Sequence, residues 1–362
     1  MKFPFIPFVF AAGAFFRSLG QVLVPCTFLG LLACDGGGGS TTPPISSVYG
    51  AGYDLYVAGY EHNGSKYVAK LWKNGVPTSL SDGTQNAEAG TLAVSGTDVY
   101  VTEYESNGTK DVAKVWKNGI VASLTDGAQN AAANSIGISG GDVYVAGYEN
   151  QGTKYVAKVW KNGVPTSLTD GTQNANAIFL VVSGNDVYVA GSESNGTKNI
   201  AKVWKNGVPT SLTDGTSNAV GYSLFVSGSD VYAAGYEYLG AISVAKVWKN
   251  GAATSLTDGI NHALVESVVV SGSDVYATGY ELNGAHAVAK VWKNGVATSL
   301  TDGSNNASGF SLVVYGSDVY VTGGESTGPS SSQAKIWKNG TAASLTDGTK
   351  NANGYSIFVN VH

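Results

Sequence analysis

Residues 135–171 read SIGISGGDVYVAGYENQGTKYVAKVWKNGVPTSLTDG. Four short runs rich in Val, Tyr, Ile and Thr are separated by Gly, Asn and Asp. The first ends in Ser139-Gly140. The second is the run from Asp142 to Glu149, the third carries Val-Ala-Lys-Val-Trp-Lys, and the fourth is Pro-Thr-Ser-Leu-Thr. β-branched and aromatic residues bounded by turn formers read as strands. Asn162-Gly163 is the strongest short hairpin signal, because both turn residues must take positive φ. The Gly-x-Asp link between the first two runs is a further tight turn. Nothing in the unit has helical period.

The unit recurs. Trp72, Trp116, Trp160, Trp204, Trp248, Trp292 and Trp337 are spaced by 44 residues five times and then by 45. Glu61, Glu105, Glu149, Glu193, Glu237, Glu281 and Glu325 keep a spacing of 44 throughout. The extra residue therefore lies in the loop STGPSSSQ, residues 326–333. Four antiparallel strands in a unit of about 40–50 residues suit a propeller blade. A solenoid has shorter units and open ends that need caps.

The chain is thus read as all-β, a seven-bladed β-propeller of four-stranded antiparallel blades over residues 46–362. It resembles seven-bladed propellers as a class. It lacks the Gly-His and Trp-Asp signatures of WD40 blades and the double glycine of kelch, and is similar to bacterial propeller lipoproteins. Closure is legible at the ends. Tyr355-Ser356-Ile357-Phe358-Val359 is a first strand with no second strand after it. It is expected to supply the innermost strand of the blade built from residues 54–81, so deletion of residues 355–362 is expected to cripple folding. Ser47-Val48-Tyr49-Gly50 reads as a degraded first strand.

The N-terminus reads as an address. Residues 18–33 are uncharged and mostly apolar, with Lys2 and Arg17 upstream, the layout of a secretory signal. Leu31-Leu32-Ala33-Cys34 resembles a bacterial lipobox. That resemblance implies a signal peptide over 1–33, lipid on Cys34, and a Gly/Ser/Thr/Pro tether over 34–45. The implied location is the bacterial cell envelope, at the outer membrane or cell surface or on the periplasmic side of the inner membrane. A plain secretory signal or a single transmembrane helix is the alternative, although about 16 apolar residues are short for a span.

Composition narrows the function. From Asp35 onward there are 19 basic and 26 acidic residues, a net charge of about −7 (19 − 26) with histidine neutral. Every basic residue there is lysine, spread evenly. A nucleic-acid reader shows clustered arginine and a basic face, so nucleic acid is set aside. Cys26 and Cys34 are the only cysteines, which leaves no thiolate metal site in the repeats. No Gly-x-x-x-x-Gly-Lys-Ser/Thr loop occurs. No cofactor or metal is expected, and a monomer is.

What repeats is mostly scaffold. The tryptophans are read as inter-blade core, with an exposed ligand platform as the alternative. The Thr-Asp-Gly aspartates (Asp82 and its six equivalents) and the Asn four residues on (Asn86 and its equivalents, His262 in one blade) are read as turn residues, with Ca²⁺ ligation as the alternative. The recurrent glutamate is expected to pair with the lysine that follows it, Lys66, Lys110, Lys154 or Lys198. The copies differ just before each innermost strand: Gly90, Asn134, Ile178, Tyr222, Glu266, Phe310 and Tyr355. These positions are expected to ring one mouth of the channel. Unequal residues on a rigid frame are how a loop-built site is made. Asn134, Ile178, Tyr222, Glu266, Phe310 and Tyr355, with His262, are therefore the candidate ligand-binding residues. The expected role is a binding scaffold presenting one face to a protein, peptide or surface polymer. The alternative is a glycan-binding lectin using Tyr60, Tyr104, Tyr148, Tyr236 and Tyr280, a set that Ser192 and Gly324 interrupt. His262 and Glu266 form the one acid/base candidate, and the chain is expected not to be an enzyme.

Overall fold

A computed structural model describes residues 45–362 other than residues 51 and 330. The leader, Cys34 and the tether up to residue 44 lie outside the described residues. The described residues form seven four-stranded antiparallel sheets, each a blade of a seven-bladed β-propeller. Each blade runs from an inner strand through a second and a third to a short outer one. In the third blade these are Ala131–Ser139, Asp142–Gln151, Lys154–Lys161 and Val164–Ser167.

The first blade is completed from the far end of the chain. Its inner strand is Ala352–Val361, antiparallel to Tyr53–His62, with Tyr53 opposite Val361 and Glu61 opposite Ala352. The expected closure is present. It starts three residues earlier than Tyr355, at Ala352, as the inner strands of the other blades start at the equivalent alanine. Residues 45–48 are not a degraded strand. They form a 3₁₀ turn whose Val48 is buried with Tyr320, Ile336 and Ala343 of the seventh blade. The inner slot that a first strand would fill is already held by Ala352–Val361.

The hairpin prediction holds in every blade. Asn74, Asn118, Asn162, Asn206, Asn250, Asn294 and Asn339 sit at φ between 45° and 51°, each followed by a glycine of positive φ. The Asn side chain does more than tolerate that backbone. Asn74 Oδ1 accepts the Leu55 N–H at 2.8 Å, and its Nδ2 donates to Asp54 Oδ1 at 2.7 Å. Asp54 also pairs with Lys73 at 2.7 Å, and the ammonium lies 5.4 Å from the Tyr56 ring centre. The repeated Asp-x-Tyr and Lys-Asn-Gly are thus one contact set. It ties the second strand to the third–fourth hairpin.

The tryptophans are core. Trp72, Trp160, Trp204, Trp248, Trp292 and Trp337 are all but fully buried. Each packs against the neighbouring blade, as Trp160 does against Ala131, Ala133 and Ile136 of its own blade together with Ala113 of the one before. Outer strands are exposed on both faces in six blades. Pro77, Pro165 and Pro209 on three of them blunt the open edge.

Every inner strand carries a register shift. In the third blade it falls between Ala133 and Ser135, leaving Asn134 as the extra residue. The bulge pushes an inner-strand carbonyl against the second strand. A Cβ at Gly59, Gly147, Gly191, Gly235, Gly279 or Gly323 would lie 1.9–2.1 Å from that oxygen. Glycine is therefore required there for space. The second blade has Glu103 at this position, and its irregularity is longer, from Ala89 to Leu92. Gly235→Ala is expected to destabilise the fold by about 2 kcal/mol or more. Gly221→Ala, whose Cβ would meet nothing nearer than 3.5 Å, is expected to be close to neutral. Denaturant unfolding of the two variants checks the contrast.

Candidate functional site

The second-to-third hairpins and the links from each outer strand to the next blade share one face of the disc. Asn63 Nδ2 donates to Gly83 O at 3.0 Å between two such loops, and Asn107, Asn195 and Asn283 repeat the bond. Asp82 Oδ1 accepts the Thr84 N–H at 2.8 Å, and Asn86 Oδ1 accepts the Tyr67 N–H at 3.1 Å. These oxygens are engaged in local backbone bonds. His262 takes over the part of Asn86. Its Nδ1 accepts the Ser243 N–H at 3.1 Å.

The seven unequal positions do not precede the inner strands; each is the fourth residue within one, at the bulge. All seven, Gly90, Asn134, Ile178, Tyr222, Glu266, Phe310 and Tyr355, line a single half-enclosed cavity of about 110 Å³ on the propeller axis. A plain strand has period two. The extra residue breaks that period and turns one residue per blade toward the axis, a side chain in six blades and Gly90 in the second. His262 is not in the lining; its ring lies beside Ser243 and Tyr238 instead.

The residue after each unequal position was not singled out from the sequence. It is Thr91, Ser135, Phe179, Ser223, Ser267, Ser311 or Ser356. Six of the seven are hydroxyls, and each accepts a backbone N–H from the next blade's inner strand. The donors are Ile136 to Thr91 at 2.9 Å, Leu180 to Ser135 at 3.0 Å, and Val268 to Ser223 at 3.1 Å. Leu312 donates to Ser267 at 3.4 Å, Ile357 to Ser311 at 3.4 Å, and Leu92 to Ser356 at 3.3 Å. This belt surrounds the axis, with Thr91, Ser267 and Ser311 reaching the cavity lining, and is interrupted at Phe179. Its repetition was the available signal.

The aromatic residues of the cavity are braced. The Phe310 and Tyr355 rings meet edge-on at 5.3 Å, Tyr355 lies 5.5 Å from Tyr60, and Tyr222 lies 5.8 Å from Tyr236. Asn353 Nδ2 donates to the Tyr60 hydroxyl at 2.9 Å. Tyr60 and Tyr148 are buried and offer no open face between blades.

Two carboxyls share the lining, Glu88 and Glu266. Glu88 is 7 % exposed and accepts the Tyr355 hydroxyl at 3.4 Å. Glu266 has no hydrogen-bond or ion-pair partner among the described residues. Removal from bulk water pushes its carboxyl up to about 8. Glu103, in the second strand of its blade and outside the cavity lining, is 1 % exposed with Oε2 unpaired. Burial, with Glu105 adding to it, pushes it up to about 8 as well. The recurrent glutamates pair with lysines of the third strand, not with the loop lysines expected. Glu61 meets Lys70 at 3.4 Å, Glu237 meets Lys246 at 3.5 Å, and Glu105, Glu149, Glu193, Glu281 and Glu325 pair with Lys114, Lys158, Lys202, Lys290 and Lys335. The nearer lysine in sequence lies round the hairpin, while the third-strand lysine is close to the glutamate across the sheet.

No family model and no curated protein matches the chain. Among solved structures it is similar to the β-propeller domain of the Trilobed protease from Pyrococcus furiosus, described as having an open velcro topology. The TM-score is 0.51 at 12% identity, over 81% of this chain and 95% of that one. It is also similar to Pyrococcus horikoshii acylaminoacyl peptidase, with TM-score 0.49 and 12% identity, over 84% of this chain and 53% of the peptidase, about half its length. The likeness carries the fold. It also overturns the expectation that the chain is not an enzyme, because the same fold forms part of a protease. A propeller architecture is no argument against enzymatic context.

The raised carboxyls have a consequence for stability. From the ordinary 4.5 up to about 8, folded Glu103 and Glu266 hold protons that the unfolded chain releases. Stability therefore falls as pH rises through that window and levels off above it. Glu103→Gln and Glu266→Gln are each expected to flatten the fall by about 1 kcal/mol or more. Unfolding at about pH 4.5 and about pH 8.5, near the two ends of the window, reads the change.

Proposed function

We propose that the chain is a binding propeller, held at a cell-envelope membrane by lipid on Cys34, whose axial mouth on the loop face recognises a protein, peptide or surface polymer. One observation carries this reading: the positions at which the repeats differ converge on one cavity, while the scaffold around them is nearly invariant. A scaffold residue repeats because every blade must pack alike. A residue freed from that demand and collected with its counterparts at one point is placed to make contacts of its own. The tether rests on the lipobox resemblance and on the Gly-rich stretch after Cys34.

Two experiments test the two halves. The triple variant Ile178→Ala, Tyr222→Ala, Phe310→Ala is expected to lose most partner capture in cross-linked envelope fractions. A rim variant, Val164→Ser with Val208→Ser, is expected to retain it. Equal capture by both would refute the axial mouth. Metabolic labelling with an alkyne fatty acid is expected to mark the protein and to be abolished by Cys34→Ser. A label that survives the substitution refutes the anchor.

A further inference from the structure

We infer that the axial cavity receives an organic monocation, an alkylammonium group seated between the aromatic rings and the carboxyls of Glu88 and Glu266. The inference deepens the binding reading above and rests on the same mouth. Its basis is the composition of the lining. Tyr104, Tyr222, Phe310 and Tyr355 contribute aromatic surface, Glu88 and Glu266 contribute acid, and no lysine or histidine lines the cavity among the described residues. The third-strand and turn lysines are spent elsewhere on the recurrent glutamates and aspartates.

Each element narrows the occupant. Aromatic faces attract a cation through the ring quadrupole, more so in a site shielded from water. The Phe310, Tyr355 and Tyr222 rings are already fixed by their neighbours, so little ordering is needed on binding. An anion would meet two carboxyls and no base. A cavity of about 110 Å³ is smaller than the roughly 150 Å³ that takes benzene, which favours a small ammonium head over a sugar ring. A divalent metal prefers six or more hard oxygens, and no group of three or more His, Cys, Asp or Glu side chains is gathered among the described residues. Glu266 has no partner, and a bound cation supplies one.

The same arrangement makes binding depend on pH. The groups facing Glu266 are the phenols of Tyr222, Tyr236 and Tyr280, with Glu88 also in the lining. Tyr222, Tyr236 and Tyr280 are raised by burial and stay neutral. A cation favours the ionised form of Glu266, whose carboxyl stands at about 8 in the free protein. Binding therefore releases a proton near neutrality, and affinity rises with pH until about 8.

Calorimetry on the detergent-solubilised full chain, titrated with n-butylammonium, tetramethylammonium, n-butanol and CaCl₂, tests this. At least one ammonium probe is expected to bind about tenfold or more tightly than n-butanol, consistent with a desolvated cation–π and carboxylate contact. The two ammonium probes separate a primary from a quaternary head. Glu266→Gln is expected to weaken that binding about tenfold and to remove its rise between about pH 6 and pH 8. Glu88→Gln, which leaves Glu266 in place, is expected to weaken it while keeping the rise. Butanol binding as well as the ammonium ions, Ca²⁺ binding more tightly, or an unaltered Glu266→Gln overturns the inference. If the amines fail while partner capture still requires Tyr222 and Phe310, the cation is wrong and the binding face stands.

Discussion

The structure depends on one strand pairing. Ala352–Val361 closes against Tyr53–His62, joining residues about 300 apart in sequence and turning seven weak sheets into a ring. Each blade is four strands of modest length, and its outermost strand is exposed on both faces in six of them. Alone, such a sheet would leave the apolar residues of both faces in water. In the ring it buries both broad faces against neighbours, and the tryptophans fill the wedge between blades. The hydroxyl belt runs through the closing blade as well. Ile357 donates to Ser311 on one side, and Ser356 accepts from Leu92 on the other.

From closure follows the cavity. Inner strands that converge on an axis must widen toward one end. Here the bulge does this; in six blades a glycine of the second strand makes room for it, and in the second blade, with Glu103 there, the irregularity is longer. The recurrent Gly-Tyr-Glu is therefore a part of the site: its glycine admits the bulge, and Tyr60 and Tyr236 brace Tyr355 and Tyr222 of the lining. It sets the inner strand one residue out of period, and that residue alone escapes the sheet's alternation. Scaffold repetition and site variability are two results of one backbone irregularity.

Much of this was legible in the sequence. Strand count, hairpins and closure could be read from Asn-Gly, the Trp spacing and the unpaired strand at Tyr355, because local turn chemistry and periodicity dictate them. The positions lining the axis could be found by comparing blades with one another. The bulge that aims them could not, since register within a sheet is a tertiary property. For the same reason Glu105 was assigned the nearer Lys110 when the sheet gives it Lys114. The role of Val48 was missed because an apolar residue before a strand reads as strand, and only the filled inner slot diverts it to the seventh blade. His262 looked like chemistry and serves as a turn acceptor, a role that Asn fills in the other blades.

Native-state hydrogen exchange tests the central claim, that ring closure holds the whole disc and with it the cavity. The amides of Tyr53–His62 and Ala352–Val361 are predicted to exchange with the same protection as the inner strands on the opposite side, such as Ala175–Ser183 and Ala219–Ser227, through one cooperative opening. Earlier exchange confined to the first blade, with the remaining six still protected, would contradict it.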